Sequence, residues 1–172
     1  RARWRTKRNA DPGLQGPRSP DTALVRMWIW VVGTLTKQCE LVDLYRLVND
    51  SPFVKAMFDV NSPFHRQQSN KQHYVDEFTI PFGLSCEVAA AIGMYFREGH
   101  FGKQLQVHYN MICARAMYAQ LYRVADYLLA DRMNESVVAE FLHHIRIHRA
   151  FSTSWKTSMP DLDDARLLLK TE

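Results

Sequence analysis

Apolar residues recur at intervals of three and four along much of the chain, which is the spacing of one face of an α-helix. The first stripe follows Pro20 and consists of Leu24, Met27, Trp28, Val31, Val32 and Leu35. The second stripe consists of Leu41, Leu44, Tyr45, Leu47 and Val48. It ends at residues 49–52, because Asn, Asp and Ser favour turns and Pro cannot continue a helix. The stripes predict an antiparallel helix pair whose first helix is capped by Asp21 or Thr22.

Further helical segments follow this pair. Residues 51–60 predict one short helix, and residues 81–98 predict a longer helix that ends at Gly99. The intervening residues 61–80 are polar and aperiodic, so they predict a long connection.

The second half of the chain continues the helical pattern. Residues 107–133 predict a second antiparallel pair with its break near Tyr118 and Ala119. A last long helix is capped by Asn134 and runs to residue 151. Its expected core residues are Val137, Val138, Phe141, Leu142 and Ile145.

The two predicted helix pairs resemble each other at a shift of 81 residues. Apolar or small residues meet at that shift, as in the pairs Trp28 with Tyr109, Val31 with Ile112, Gly33 with Ala114 and Leu47 with Leu128. No segment shows the alternation of a strand. The sequence therefore predicts an all-α fold, with helix pairs stacked as a short solenoid over residues 21–151.

Both ends of the chain differ from this body. Six of the 22 basic residues but only one of the 18 acidic residues lie in residues 1–20, which leaves 16 basic and 17 acidic side chains for the remainder. Residues 1–20 contain three prolines and no hydrophobic period, so we expect an extended basic arm. Residues 152–172 form a tail, with Trp155 as a docking anchor and a short helix after Pro160.

Composition limits the class of protein. A length of 172 residues suits one domain, and no apolar run approaches the roughly 20 residues that a membrane span needs. The three cysteines are far apart, form no CxxC pair and are expected to be small buried side chains. The arginine-rich, acid-poor start at Arg1 is typical of mitochondrial import, and we expect a matrix protein whose presequence has been removed.

Residues 107–129 resemble a pentatricopeptide repeat, the two-helix module of organellar proteins. Tyr109 and Asn110 match the start of its first helix, and Ile112 matches the aliphatic residue that follows. In that family the first-helix Asn reads an RNA base together with a closing residue, so the resemblance assigns a possible RNA-reading role to Asn110. The small size, degenerate repeats and basic arm are also similar to the small helical-repeat subunits attached to the catalytic head of euglenozoan mitochondrial F-type ATP synthases. That resemblance implies a nucleotide-binding ATP synthase subunit as partner, and no cofactor.

Motifs for chemistry are weak. Residues 99–104, "GHFGKQ", resemble a phosphate loop but lack its first Gly and its Ser or Thr, so they are interpreted as a helix end. Glu140, His144 and His148 are spaced four apart and predict a polar stripe rather than a metal site. The tripeptide LYR occurs at residues 44–46 and 121–123 and resembles LYR assembly factors, whose motif opens the first helix, whereas both copies here are expected in second helices.

These observations predict a non-catalytic accessory subunit that binds other proteins. The nearly neutral body favours a protein partner over RNA, because RNA binding needs a basic surface. The alternatives are an RNA-binding or mitoribosomal protein and, less favoured, an LYR-type factor or respiratory-complex accessory subunit. Trp30 lies about 200° round the predicted helix from Trp28 and should face outward. The expected partner-binding residues are Arg3, Trp4, Arg5, Arg8 and Trp30.

Overall fold

The computed structural model describes residues 24–34, 36–59, 77–102, 105, 111–151 and 161–170. These residues form a three-stranded sheet and six helices, so the fold is α/β and the prediction of an all-α solenoid is wrong. The strands are β1 (Leu24–Val31), β2 (Lys37–Asp43) and β3 (Glu77–Leu84). The helices are α1 (Leu44–Asp50), α2 (Pro52–Phe58), α3 (Cys86–Glu98), α4 (Met111–Tyr127), α5 (Asp131–Phe151) and α6 (Leu162–Lys170).

The sheet has the order β2-β1-β3, with β1 as its central strand. Strand β1 is antiparallel to β2, with Trp28 opposite Cys39, and parallel to β3, with Trp28 beside Thr79. The hairpin between β1 and β2 turns at Gly33, whose φ of +82° lies in the left-handed region that glycine adopts without steric cost.

Strand β1 occupies the segment that was predicted as the first helix. Val25, Met27 and Ile29 are buried and alternate with exposed positions, which is the period of two that a half-buried strand requires. Val, Ile and Trp also favour strands over helices. The apolar residues of this segment fit both the helical period of 3.6 residues and the strand period of two. The strand forms because it can pair with β2 and β3.

The second predicted helix is divided between β2 and α1. Asp43 ends the strand and caps the helix, since its Oδ1 accepts hydrogen bonds from the amides of Tyr45 and Arg46 at 2.8 and 3.2 Å. Helix α1 stops at Asp50, and α2 follows at Pro52, so the expected turn and the short helix at residues 51–60 are confirmed.

The segment predicted as a helix from residue 81 begins with a strand. Strand β3 covers residues 77–84, and Ser85 caps α3 by accepting a hydrogen bond from the amide of Val88. Helix α3 ends at Gly99, whose φ is +87°, so the predicted helix end is confirmed.

Residues 111–127 form one continuous helix, α4, so the predicted break near Tyr118 and Ala119 is wrong. The turn instead lies at residues 128–130, after which α5 begins at Asp131 rather than at Asn134. The predicted core residues of α5 are all buried, namely Val137, Val138, Phe141, Leu142 and Ile145. Helix α6 confirms the short helix after Pro160 and packs on α4 and α5 through buried Ala165 and Leu169.

The core lies between the sheet and the helices. Helix α3 packs on the face of the sheet that carries Met27 and Ile29, and Gly93 brings it close to β2. A Cβ at Gly93 would overlap the Glu40 carboxylate, which forms an ion pair with Arg97 at 3.1 Å. None of the helices in the described part of the chain is long and apolar enough to cross a membrane.

Candidate binding surface on the open face of the sheet

One face of the sheet is packed on α3, whereas the other is exposed among the described residues. We name this second surface the open face and define it by the side chains that point outward from the three strands. It consists of Leu24, Arg26, Trp28 and Trp30 of β1, Lys37, Cys39, Leu41 and Asp43 of β2, and Glu77, Thr79 and Pro81 of β3. Trp28 and Asp43 are half-buried, and the other members are exposed.

Two tryptophans occupy the middle of the open face. Trp28 and Trp30 are two positions apart on β1, so both project from the same side of the central strand. Neighbouring strands hold their side chains in place. The indole N–H of Trp28 donates to Glu77 Oε2 at 2.8 Å, and Lys37 Nζ lies 4.6 Å from the centroid of the Trp30 ring. These contacts orient both rings before any partner arrives.

Aliphatic side chains extend this aromatic centre. Leu24 and Leu41 remain 54% and 46% exposed, while Trp30 remains 41% exposed. Leu24 lies opposite Asp43, and Leu41 lies opposite Arg26. An apolar strip with charged neighbours is the usual composition of a binding surface on a folded protein.

The open face carries two acidic and two basic side chains. The Glu77 carboxylate accepts the Trp28 indole hydrogen bond, and the Asp43 carboxylate caps α1. Arg26 and Lys37 supply the positive charges, Arg26 on the central strand and Lys37 at the edge.

The structure revises the expectation for Trp28 and Trp30. A helix would have placed them on opposite sides, with Trp28 buried and Trp30 outward. The strand instead places both on the open face, because its side chains alternate with a period of two. The other expected partner-binding residues, Arg3, Trp4, Arg5 and Arg8, lie outside the described residues, as does Asn110.

The polar stripe predicted on α5 is partly buried. His144 is buried, with its ring centroid 6.0 Å from that of Tyr118 and 4.6 Å from that of His148. Burial raises the pKa of the Glu140 carboxyl, and the charges of His100 and His143 oppose that rise. Across the described ranges, no three His, Cys, Asp or Glu side chains are arranged to hold a metal ion.

A second polar contact lies between helices and was not predicted. The Tyr95 hydroxyl of α3 donates to Asp50 Oδ2 at the end of α1 at 3.0 Å, and Asp50 Oδ1 is buried. Burial raises the pKa of the Asp50 carboxyl, while the Tyr95 hydrogen bond and the charge of Arg132 lower it. The Tyr95 pKa is raised by burial and by the Asp50 charge.

Three smaller expectations are also tested. The first LYR tripeptide opens α1 and the second lies inside α4, the first helix of the α4–α5 pair, so the expected place of both copies in second helices is wrong. Cys39, Cys86 and Cys113 are exposed, so their expected burial is wrong. Gly99 ends α3 and Gly102 follows in the left-handed region, which agrees with a helix end rather than a phosphate loop.

Sequence reasoning missed most of the open face. Arg26, Lys37, Leu41 and Glu77 were not expected to act with Trp30, because the strands that bring them together were not predicted. The signal present in the sequence was the content of Val, Trp and Ile in residues 25–32, since these residue types favour strands.

Comparison of the chain with protein-family models, curated proteins and solved structures found no match. The function is therefore inferred from the geometry of the described residues. Among these, the open face combines two oriented tryptophans, exposed leucines, two basic side chains and two acidic side chains on one sheet.

Proposed function

We propose that the chain is a non-catalytic subunit of a larger assembly and that it binds its partner through the open face. The observation that supports this function is the pair Trp28 and Trp30, held outward on the central strand. Large aromatic side chains at the centre of an exposed patch commonly contribute much of the binding free energy of an interface. Their neighbours on the rigid sheet keep the surface formed in the free protein.

The kind of assembly remains a proposal drawn from the sequence. The resemblance to ATP synthase subunits depended on small size, degenerate helical repeats and a basic arm, and a β-hairpin now replaces most of the first of the two repeats. We therefore propose the wider function, a docking subunit of a mitochondrial complex. The ATP synthase catalytic head and an RNA-containing, ribosome-like complex are the two candidate assemblies.

Native purification of the tagged protein tests this function. We expect Trp30→Asp to separate from the assembly, because a carboxylate would be buried without a partner at the centre of the interface. Tyr45→Asp is the matched control, since Tyr45 is a 73% exposed aromatic residue on α1, outside the open face. Retention of the Trp30→Asp variant at the wild-type level would refute docking through the open face.

We further propose that the subunit has no catalytic activity of its own. The partners that migrate with the wild-type protein identify the assembly, either by ATPase activity or by ribosomal components. Turnover by the purified chain that is abolished by a single polar substitution in the body would contradict the absence of catalysis.

A further inference from the structure

The charged side chains of the open face are balanced in number and separated in position. Two are basic, Arg26 and Lys37, and two are acidic, Asp43 and Glu77. Within the described part of the chain, neither basic side chain takes part in an ion pair. Lys37 and Asp43 lie at opposite ends of β2. A face with opposite charges at its two ends is complementary to an inverted copy of itself.

A two-fold axis between two such faces, perpendicular to the strands and at the level of Met27, brings these charges together. The axis inverts the strand direction, so each end of β2 lies over the other end of β2 in the second copy. Lys37 of each copy then lies over Asp43 of the other, and the contact occurs twice. Asp43 accepts the capping hydrogen bonds of α1 at Oδ1, which leaves Oδ2 to accept from Lys37.

The same axis also matches the side chains of the central strand. Leu24 lies over Trp30 of the second copy, because the two residues are equally far from Met27 along β1. Arg26 lies over Trp28 of the second copy, and arginine commonly stacks on an indole ring. Every outward position of β1 from residue 24 to residue 30 therefore lies over a side chain that suits it.

Other symmetric arrangements of the two faces fit less well. An axis parallel to the strands, or a perpendicular axis at the level of Arg26, would place Arg26 over Arg26 of the second copy, and opposed like charges are unfavourable. A perpendicular axis at the level of Trp28 would place Lys37 over Leu41 and leave Asp43 without a lysine. The charges therefore favour the axis at the level of Met27.

We propose that the open face binds the open face of a second copy of this chain, with Lys37 of each copy paired with Asp43 of the other. This inference rests on the proposed function, because it names the partner that the docking surface takes. The two sheets pack face to face about 10 Å apart. The pair dissociates on dilution, and the dilute chain is a monomer with its open face exposed.

Sedimentation of the full chain at about 0.1 to 100 µM tests the pairing. We expect the mass to rise from that of one chain to that of two and no further, because a two-fold contact closes on itself. Trp30→Ala should raise the dissociation constant at least about 30-fold, since central tryptophans are commonly hot spots. Tyr45→Ala, which removes an exposed aromatic ring outside the open face, should dimerise like the wild type. A monomer at the highest concentration, or equal losses for the two variants, would overturn the proposal.

A charge cycle tests the contact between Lys37 and Asp43. The two residues are roughly 20 Å apart along one strand, too far to interact within one chain at physiological salt. Lys37→Glu places two carboxylates at each contact and should weaken the dimer at least about 10-fold. Lys55→Glu is the matched control, because it makes the same charge change on α2, and it should leave the affinity unchanged.

Asp43→Asn completes the cycle, since asparagine also caps helices and so keeps α1 intact. Alone it should weaken the dimer about 2- to 30-fold, because each lysine loses its carboxylate. In the Lys37→Glu background it should strengthen the dimer, because it removes a repulsion. A change of the same direction in both backgrounds would overturn the proposed pairing.

Alkylation of the three cysteines by N-ethylmaleimide shows which surface is covered. Cys39 lies on the open face, whereas Cys86 and Cys113 lie on α3 and α4, and all three are exposed in the single chain. We expect Cys39 to react more slowly as protein concentration rises, and the other two to react at unchanged rates. Protection of Cys39 that does not depend on concentration would overturn the proposal, because another part of the same chain would then cover the face. Full reactivity of Cys39 in the dimer would overturn it by placing the contact elsewhere.

The failure of this proposal is distinguishable from the failure of the proposed function. If the chain stays monomeric and Trp30→Asp still leaves the native assembly, a different protein occupies the open face and the proposed function survives. If the open faces pair as described but Trp30→Asp stays in the assembly, the proposed function fails.

Discussion

The two faces of the sheet are built from the same three strands but carry different kinds of side chain. The inner face places Val25, Met27 and Ile29 against the helices, and all three are buried. The open face presents Trp28 and Trp30 on the intervening positions of the same strand. The inner residues are explained by packing alone. The tryptophans are not, because a solvated sheet face needs only polar residues.

The largest expected effect is the loss of folding stability when a side chain of the inner face is shortened, compared with the same change on the open face. Ile29 is completely buried in the central strand, so Ile29→Ala should lower the free energy of unfolding by about 2–5 kcal/mol through lost burial and a cavity. Leu41→Ala on the open face is the control and should cost less than about 1 kcal/mol, since Leu41 is 46% exposed. Urea denaturation measures both values, and equal losses would show that the open face is packed in solution.

A smaller effect is expected where α3 approaches the inner face. Gly93→Ala would push the Glu40 carboxylate away from Arg97, and we expect a net loss of about 1 kcal/mol. In a Glu40→Ala background the same change should stabilise the protein by up to about 1 kcal/mol, because Ala is the better helix former. Denaturation of the four proteins of this cycle measures the sign reversal, and the same sign in both backgrounds would contradict the close approach.

Loss of the hydrogen bond between Trp28 and Glu77 on the open face should lower the folding stability only slightly. Trp28→Phe keeps a large ring but removes the donor to Glu77. Because both groups are at least partly solvated, we expect a loss of about 0.5 kcal/mol or less in urea denaturation. A loss above about 1.5 kcal/mol would mean that the face is buried against another part of the molecule.

The smallest expected effect is on the pH dependence of the unfolding free energy, and it comes from Asp50 at the end of α1. The folded-state pKa of Asp50 is raised, so the native carboxyl holds its proton more tightly than the unfolded one. Asp50 therefore costs stability progressively as pH rises from its ordinary pKa of 3.8 through the folded value, and the cost is complete above it. Asp50→Asn, whose carbonyl can still accept from Tyr95, should lose less stability over that interval. Unfolding free energies of both proteins at several pH values measure this difference, and parallel pH profiles would exclude it.

The parts of the fold that depend on local pattern were predicted well. The end of α3 at Gly99, the short helices α2 and α6 and the buried residues of α5 follow from caps, prolines and periodicity within a few residues. The sheet was missed because its pairing is not local. The residues of the Trp28–Glu77 hydrogen bond are 49 positions apart, and no short-range pattern reveals that contact.

The candidate site was only partly predictable for the same reason. Trp30 was selected as an exposed aromatic residue, but by a helical argument that the strand replaces. Gly33 was the local warning, since a glycine inside a helix costs about 1 kcal/mol relative to alanine, whereas a hairpin turn uses its left-handed backbone. Lys37, Arg26 and Glu77 could be assigned to the site only after the register of the strands was known.

The outer strands of the sheet carry residues that discourage the addition of a fourth strand. Pro81 in β3 has no backbone N–H to offer a neighbouring chain, and the register irregularity beside Ile29 and Trp30 interrupts the regular ladder. In β2, Lys37 adds a charge at the other edge. A chain that displays tryptophans and leucines on a sheet face is at risk of forming fibrils. If the open face is the proposed binding surface, these edges would let it stay exposed in the free protein without backbone pairing between copies of the chain.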